Sequence, residues 1–228
     1  MLLYFSLLIF ITIRICTILF RSPLINWAAY ELGIDLNMGN LAENPHPFGQ
    51  IPCLVDNTHD EEVVVFESGA ILLYLNSILA ADSPKRKHQH QGEIFSWVSW
   101  ANASLDPICF LETPQGKVYD TGLRDTNNRR IRKLNQILAD RKFLVDDGHS
   151  LTVADVAVAS YLLYVVQFFP DIDLSHWPQI VRYMKDCASR PAYAKAFGEP
   201  VQAFVLDKLE QMGKDDGSKK KKNVFGMF

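Results

Sequence analysis

Four short tracts hold the groups that could do chemistry: Ser22-Pro23, Gln50-Ile51-Pro52, Glu67-Ser68 and Thr152 with Asp155. A proline between a loop and a strand, as at Pro52, is a place where a cis bond costs little. Such a bond turns the main chain of Ile51 outward, and its N–H and C=O can then pair with a peptide ligand as an added strand. The plain alternative is a strand-entry proline on a sheet edge. Ser68 is placed to cap a helix, whose first N–H groups attract a carboxylate. Glu67 beside it offers a charge for an ammonium, so the pair suits an amino-acid zwitterion; the plain alternative is an ordinary cap with an exposed glutamate. Thr152 and Asp155 have the spacing of a capping box, which is a folding feature.

Other tracts point away from chemistry. Cys16, Cys53, Cys109 and Cys187 lie far apart with no CxxC spacing, which argues against zinc and against a redox dithiol and fits reduced thiols. His88 and His90 are two apart and face different sides of a helix, so no metal site is expected. Asn102-Ala-Ser104 matches a glycosylation sequon inside a helix, where chance is the default. His46 is expected as a solvated loop histidine.

These groups need elements to position them. Ser22 and Pro23 open a helix that runs to Leu32 and stops at Gly33. Residues 37–47 lack a period and hold Gly39, Pro45 and Pro47, so they form a loop. The runs 51–55 and 63–66 are short apolar strands joined by a polar turn, a hairpin. A helix follows over 68–81, and a charged linker with Pro84 over 82–90. Beyond it the period is helical throughout: 91–111, 127–138, 151–169, 177–189 and 192–212. Trp97, Trp100, Phe95 and Phe110 are mainly core, with some available to line a pocket. The organisation is a mixed α/β domain over 1–82, an all-α domain over 83–213, and a basic disordered tail over 214–228 carrying Lys219 to Lys222.

The first twenty residues are atypical. Leu2 to Phe20 is almost wholly apolar and has the length a membrane helix needs, about 20 residues. A buried first strand is the favoured reading; a membrane anchor and an unrelated extension are the alternatives. The whole chain has 228 residues, and 23 Lys plus Arg stand against 26 Asp plus Glu, a net charge of −3. No global basic field exists to hold nucleic acid.

Three segments, in order, resemble the soluble glutathione S-transferase superfamily. Asn44-Pro-His-Pro-Phe-Gly-Gln-Ile-Pro52 looks like its loop before the third strand. Phe66-Glu67-Ser68-Gly-Ala-Ile71 looks like its strand-to-helix turn. Leu151-Thr-Val-Ala-Asp155 looks like the box opening its central helix. The resemblance covers about 22–197. It implies a thioredoxin-like N-terminal domain, shortened at one end, followed by an all-helical C-terminal domain. It also implies glutathione as co-substrate, conjugated to a hydrophobic electrophile in detoxification. The glutathione-binding residues it implies are Gln50, Ile51, Pro52, Glu67 and Ser68, with no metal. Ser22 stands where the family places the hydroxyl that activates the thiol, or it simply caps its helix. A cytoplasmic homodimer is expected, or a membrane-anchored form through residues 2–20. The sequence departs from the family in having only ten residues between Gly33 and Asn44, where a strand and a helix are usual. The chain is also similar to the transferase-like part of the elongation-factor gamma subunit, which implies a non-catalytic protein acting in protein assembly as the alternative function.

Overall fold

The computed structural model describes residues 10–11, 22–37, 39–58, 60–80, 89–145 and 148–214. The chain divides into two units, 1–87 and 88–228. The boundary expected after 82 falls within 81–88, outside the described residues, as do the tail from 215 and all of the first segment except 10–11.

In the first unit, Phe10–Ile11 (β1) pairs in parallel with Asp35–Leu36 (β2), and Ser22–Leu32 (α1) connects them. Leu24, Ile25, Trp27, Ala28 and Ala29 form the buried face of α1. Its end is set by Gly33 at φ 68°, a conformation that costs a residue without a side chain little. The N–H of Ile34 then donates back to the Ala29 carbonyl at 2.9 Å, capping the last turn. Only a single 3₁₀ turn, Leu41–Glu43, lies between β2 and the next strand, so the helix usual there has no counterpart among the described residues. Cys53–Asp56 (β3) and Val63–Phe66 (β4) form the expected antiparallel hairpin. Ser68–Ala80 (α2) follows and packs Ile71, Leu72 and Leu75 inward.

The second unit is built around Val153–Phe168 (α6), in which every residue from Val153 to Val166 is buried. Its Val- and Ala-rich sequence is apolar on all sides because it has neighbours on all sides. Gln89–Trp100 (α3) packs against it and continues through a π-helical segment, Ala101–Leu105, into the short Asp106–Cys109 (α4). Pro107 removes one ladder N–H there. Asn102 donates to the Val98 carbonyl at 2.9 Å and accepts from the Tyr161 hydroxyl at 2.8 Å, so its amide is occupied within the fold rather than offered as a glycan acceptor.

Two expectations for this unit are corrected. The tract after Phe110 is not helical throughout. Leu111–Glu112 (β5) and Val118–Asp120 (β6) form a small hairpin, closed by a turn with Gly116 at φ 75°. The tract 192–212 is also not one helix. It divides into Pro191–Phe197 (α8) and Glu199–Lys214 (α9) at Gly198, whose φ of 92° takes the chain out of helical space. Arg129–Ile137 (α5) and Pro178–Ala188 (α7) complete the unit. Cys53 in the first unit and Cys109 and Cys187 in the second are all buried free thiols. Burial pushes each of the three above the usual thiol range, most strongly for Cys109 and Cys187.

Candidate functional site

The hairpin register brings two of the sequence tracts to one place. Cys53 stands opposite Phe66. The residues entering β3, Gln50-Ile51-Pro52, and those leaving β4, Glu67-Ser68, therefore lie at the same end of the same two-stranded ribbon. The Ile51–Pro52 bond is cis. The N–H and C=O of Ile51 take no hydrogen bond among the described residues. Pro52 is buried, Ile51 half-buried and Gln50 exposed.

The loop leading to Ile51 is held by its own polar groups. Asn44 donates from Nδ2 to the Gln50 carbonyl at 2.8 Å and accepts from the His46 N–H at 3.1 Å. His46 is not solvated as expected; it is only 6% exposed, and its Nδ1 accepts from the Phe48 N–H at 3.0 Å. Its ring lies 5.0 Å from that of Phe66, which anchors the loop to the end of β4. The N–H of Gly49, at φ 65°, closes a turn on the His46 carbonyl. Together these bonds fix the direction in which the Gln50–Ile51 main chain runs.

Among the described residues, Glu67 is the one non-glycine residue with a positive φ, 69°. That left-handed turn lets the chain leave the strand and enter α2 within a single residue. Its carbonyl accepts the first helical bond, from Ile71 at 3.0 Å. Glu67 is therefore the cap, one place before the expected Ser68, and Ser68 is the first helical residue. The N–H groups of Ser68, Gly69 and Ala70 precede the first helical donor, so the helix tip carries partial positive charge beside the exposed Glu67 carboxylate. The Ser68 side chain itself is buried, at 3% exposure, and engaged.

A residue that sequence reasoning missed ties the middle of α2 to the opposite end of the hairpin. Asp56, fully buried at the end of β3, accepts from the Tyr74 hydroxyl at 2.6 Å. It also accepts from the Thr58 hydroxyl at 2.6 Å and the Thr58 N–H at 2.8 Å. Burial, with the Asp56 carboxylate beside it, raises the Tyr74 hydroxyl well above the usual tyrosine range. The apolar run before Asp56 was visible in sequence, but its partner eighteen residues on was not. Ser22 opens α1 as the first described residue of that helix, and its side chain lies outside the described set. No group of three metal-ligating side chains occurs among the described residues.

In the second unit Thr152 and Asp155 form the capping box expected of them. The Asp155 carboxylate accepts from the Thr152 N–H at 2.9 Å. It reaches further than a box requires, accepting from the Leu144 N–H at 2.9 Å and the Tyr183 hydroxyl at 3.1 Å. Burial pushes its carboxyl up to about 6, against the opposing pull of these hydrogen bonds.

Comparison with known proteins gives the same picture. The family model described as "Glutathione S-transferase, N-terminal domain" matches residues 21–77, and "Glutathione S-transferase, C-terminal domain" matches 100–191. A glutathione S-transferase domain-containing protein of Dictyostelium discoideum is 30% identical over 187 residues, which are 75% of this chain and 70% of that protein. The disulfide-bond oxidoreductase YghU of Escherichia coli is 28% identical over 179 residues, 70% of this chain and 58% of that protein. The chain spans about 60% of the length of other curated relatives that it matches. Among solved structures, Ure2p in complex with glutathione superposes with a TM-score of 0.63 at 22% identity, covering 83% of this chain and 98% of that one. The order of the two matched domains, the paired motifs at the hairpin end and the boxed central helix agree: the chain belongs to the glutathione S-transferase superfamily.

Proposed function

We infer that the chain binds glutathione along the Ile51 edge and conjugates it, through its thiol sulfur, to a hydrophobic electrophile. The observation that carries this is the β3–β4 register, which sets an unpaired main-chain edge beside a helix tip and an exposed carboxylate. The cysteinyl unit would pair with the Ile51 N–H and C=O, entered through Pro52. The γ-glutamyl ammonium would meet Glu67, and its carboxylate the N–H groups at Ser68 and beyond. Gln50 would face the glycine carboxylate. Binding of glutathione by solved relatives of this fold supports the reading.

A free thiol has a pKa of about 8.5, so only a few per cent is thiolate at neutral pH. A hydroxyl donating to the sulfur, worth roughly 1.5–3 kcal/mol for a charged acceptor, would lower that by one to two units. Ser22 is assigned this role. The thiolate then forms a carbon–sulfur bond with the electrophile, the leaving group departs with its electron pair, and the thiol proton passes to solvent. The working form is assigned as a cytoplasmic homodimer engaged in detoxification.

One observation favours a second reading, a non-catalytic member acting in protein assembly. Among the described residues, only a 3₁₀ turn stands between β2 and β3. Calorimetric titration with glutathione, paired with turnover of a generic aryl halide, decides between them. Binding with turnover supports the transferase, binding without turnover supports the assembly protein, and no binding overturns both.

A further inference from the structure

Among the described residues between 39 and 50, His46 alone is buried. Prolines stand on both sides of it. A residue before proline is confined to extended backbone, and Pro47 presets the φ that starts a turn. The Gly49 N–H closes that turn on the His46 carbonyl at 2.9 Å. Inside the turn the Phe48 N–H has no main-chain acceptor, and the His46 side chain supplies one: Nδ1 accepts it at 3.0 Å. Asn44 does the same two residues earlier, where its Oδ1 accepts from the His46 N–H at 3.1 Å. Each is a side chain bonding the backbone two residues on. The loop therefore stands on two consecutive stakes of one geometry but of different chemistry. An amide oxygen takes no proton near neutrality, whereas an imidazole nitrogen does.

A backbone N–H can only donate. Nδ1 must therefore carry a lone pair, which makes the His46 ring neutral with its proton on Nε2. Protonation at Nδ1 sets two donors face to face and deletes the bond. The surroundings do not compensate with an anion. The ring packs against Phe66 at 5.0 Å and Phe48 at 6.0 Å, and its chain neighbour Asn44 is an uncharged amide. The charged side chains on the elements packed against it are Glu43, in the 3₁₀ turn, and Glu67, after β4; both are exposed and neither is bonded to the ring.

We propose that neutral His46 is a positioning residue for the glutathione edge: its bond to Phe48 holds the turn that sets the course of Gln50 and Ile51, and protonation of the ring releases the turn and the ligand with it. This rests on the reading of Ile51 as the main-chain partner of glutathione. His46 touches no ligand itself; it acts through Phe48 and Gly49 on the two residues that do. The sign follows from the bond. Only the neutral ring keeps the edge in place, so affinity is full above the range in which imidazoles ordinarily titrate, about pH 5–8, and falls as pH drops through it. Binding expels one proton, so the fall is at most about tenfold per pH unit.

Calorimetric titration of the full chain with glutathione, at about pH 7 and about pH 5.5, tests it on either side of the ordinary imidazole value. The parent is expected to bind roughly tenfold more weakly at the lower pH. His46→Asn restores the acceptor as an amide oxygen that takes no proton. It should match the parent at the higher pH and lose no more than about twofold on acidification. Every other titrating group, those of glutathione included, is common to both chains, so the difference between their profiles belongs to residue 46. His46→Phe keeps a ring against Phe66 but offers no acceptor, and should bind roughly tenfold more weakly than the parent at the higher pH, with little further loss at the lower. Parallel profiles for the parent and His46→Asn, or a His46→Phe chain as tight as the parent, overturn the proposal. Hydrogen exchange of the segment 46–50, read by mass spectrometry in the parent and His46→Asn at the same two pH values, separates it from the reading on which it rests. Faster exchange in the acidified parent alone supports the His46 turn; equal exchange in both chains overturns it. Absence of glutathione binding at either pH, beside that faster exchange, would count against the glutathione edge and not against the turn.

Discussion

Glu67 carries two loads at once. Its backbone makes the left-handed step from β4 to α2, and its carboxylate stands exposed beside the helix tip. The two are separable by substitution. Glu67→Ala should abolish retention on immobilised glutathione, because the carboxylate proposed to meet the ammonium is gone. Glu67→Ala should cost about 1 kcal/mol or less in stability, since alanine meets the same left-handed penalty that glutamate already bears. Glu67→Gly should lose retention equally yet melt no lower than the parent, because glycine adopts this φ freely. Retention by either variant would remove Glu67 from the ligand. Ser22→Ala should cut turnover by one to two orders of magnitude, matching the one-to-two-unit effect assigned to its hydroxyl. A variant as fast as the parent clears Ser22 of that role. At this scale the sequence was informative about position and less so about duty. Ser68 was expected to cap α2, yet the cap is Glu67, because a left-handed residue can start a helix without a side-chain acceptor and nothing in residue type announces it. His46 was expected in solvent, since its burial depends on Phe66 twenty residues away.

At the scale of elements, α6 is held at its N-terminus by one carboxylate serving four donors: two N–H groups, of Thr152 and Leu144, and the hydroxyls of Thr152 and Tyr183. Asp155 titrates near 6 when folded and near 3.9 when unfolded. A carboxyl raised on folding favours the folded state fully below about pH 4 and loses that contribution as pH rises through about 6, on the order of 3 kcal/mol across the window. Asp155→Asn removes the titration. The stability difference between parent and variant, from urea melts at several pH values, should therefore shift toward the variant as pH rises from about 4 to 7. A difference that is flat with pH would refute the assignment. Gly198→Ala should destabilise by about 1–2 kcal/mol, because the φ of 92° that separates α8 from α9 is closed to alanine at ordinary cost. The hairpin, α1, α2 and the boxed helix were all legible, since caps, glycines and apolar period fall within a few residues of one another. The break at Gly198 was not, because the apolar period runs on across it. The β5–β6 hairpin was not, because its strands are only two and three residues long.

For the whole molecule, the order of a mixed domain before a helical one could be read directly, as the period changes from mixed to helical after the linker. The long-range ties, Asp56 to Tyr74 and Asn102 to Tyr161, could not, because each joins residues whose types are common at exposed positions. The three buried thiols give these two units separate clocks. Cys53 reacts with an alkylating reagent only when the first unit opens, and Cys109 and Cys187 only when the second does. Timed labelling read by mass spectrometry should show Cys109 and Cys187 modified together and Cys53 on its own schedule, with added glutathione slowing Cys53 most. Simultaneous modification of all three would mean that the chain opens as one body. Until either unit opens, these positions stay closed to thiol-reactive compounds in the surrounding solution.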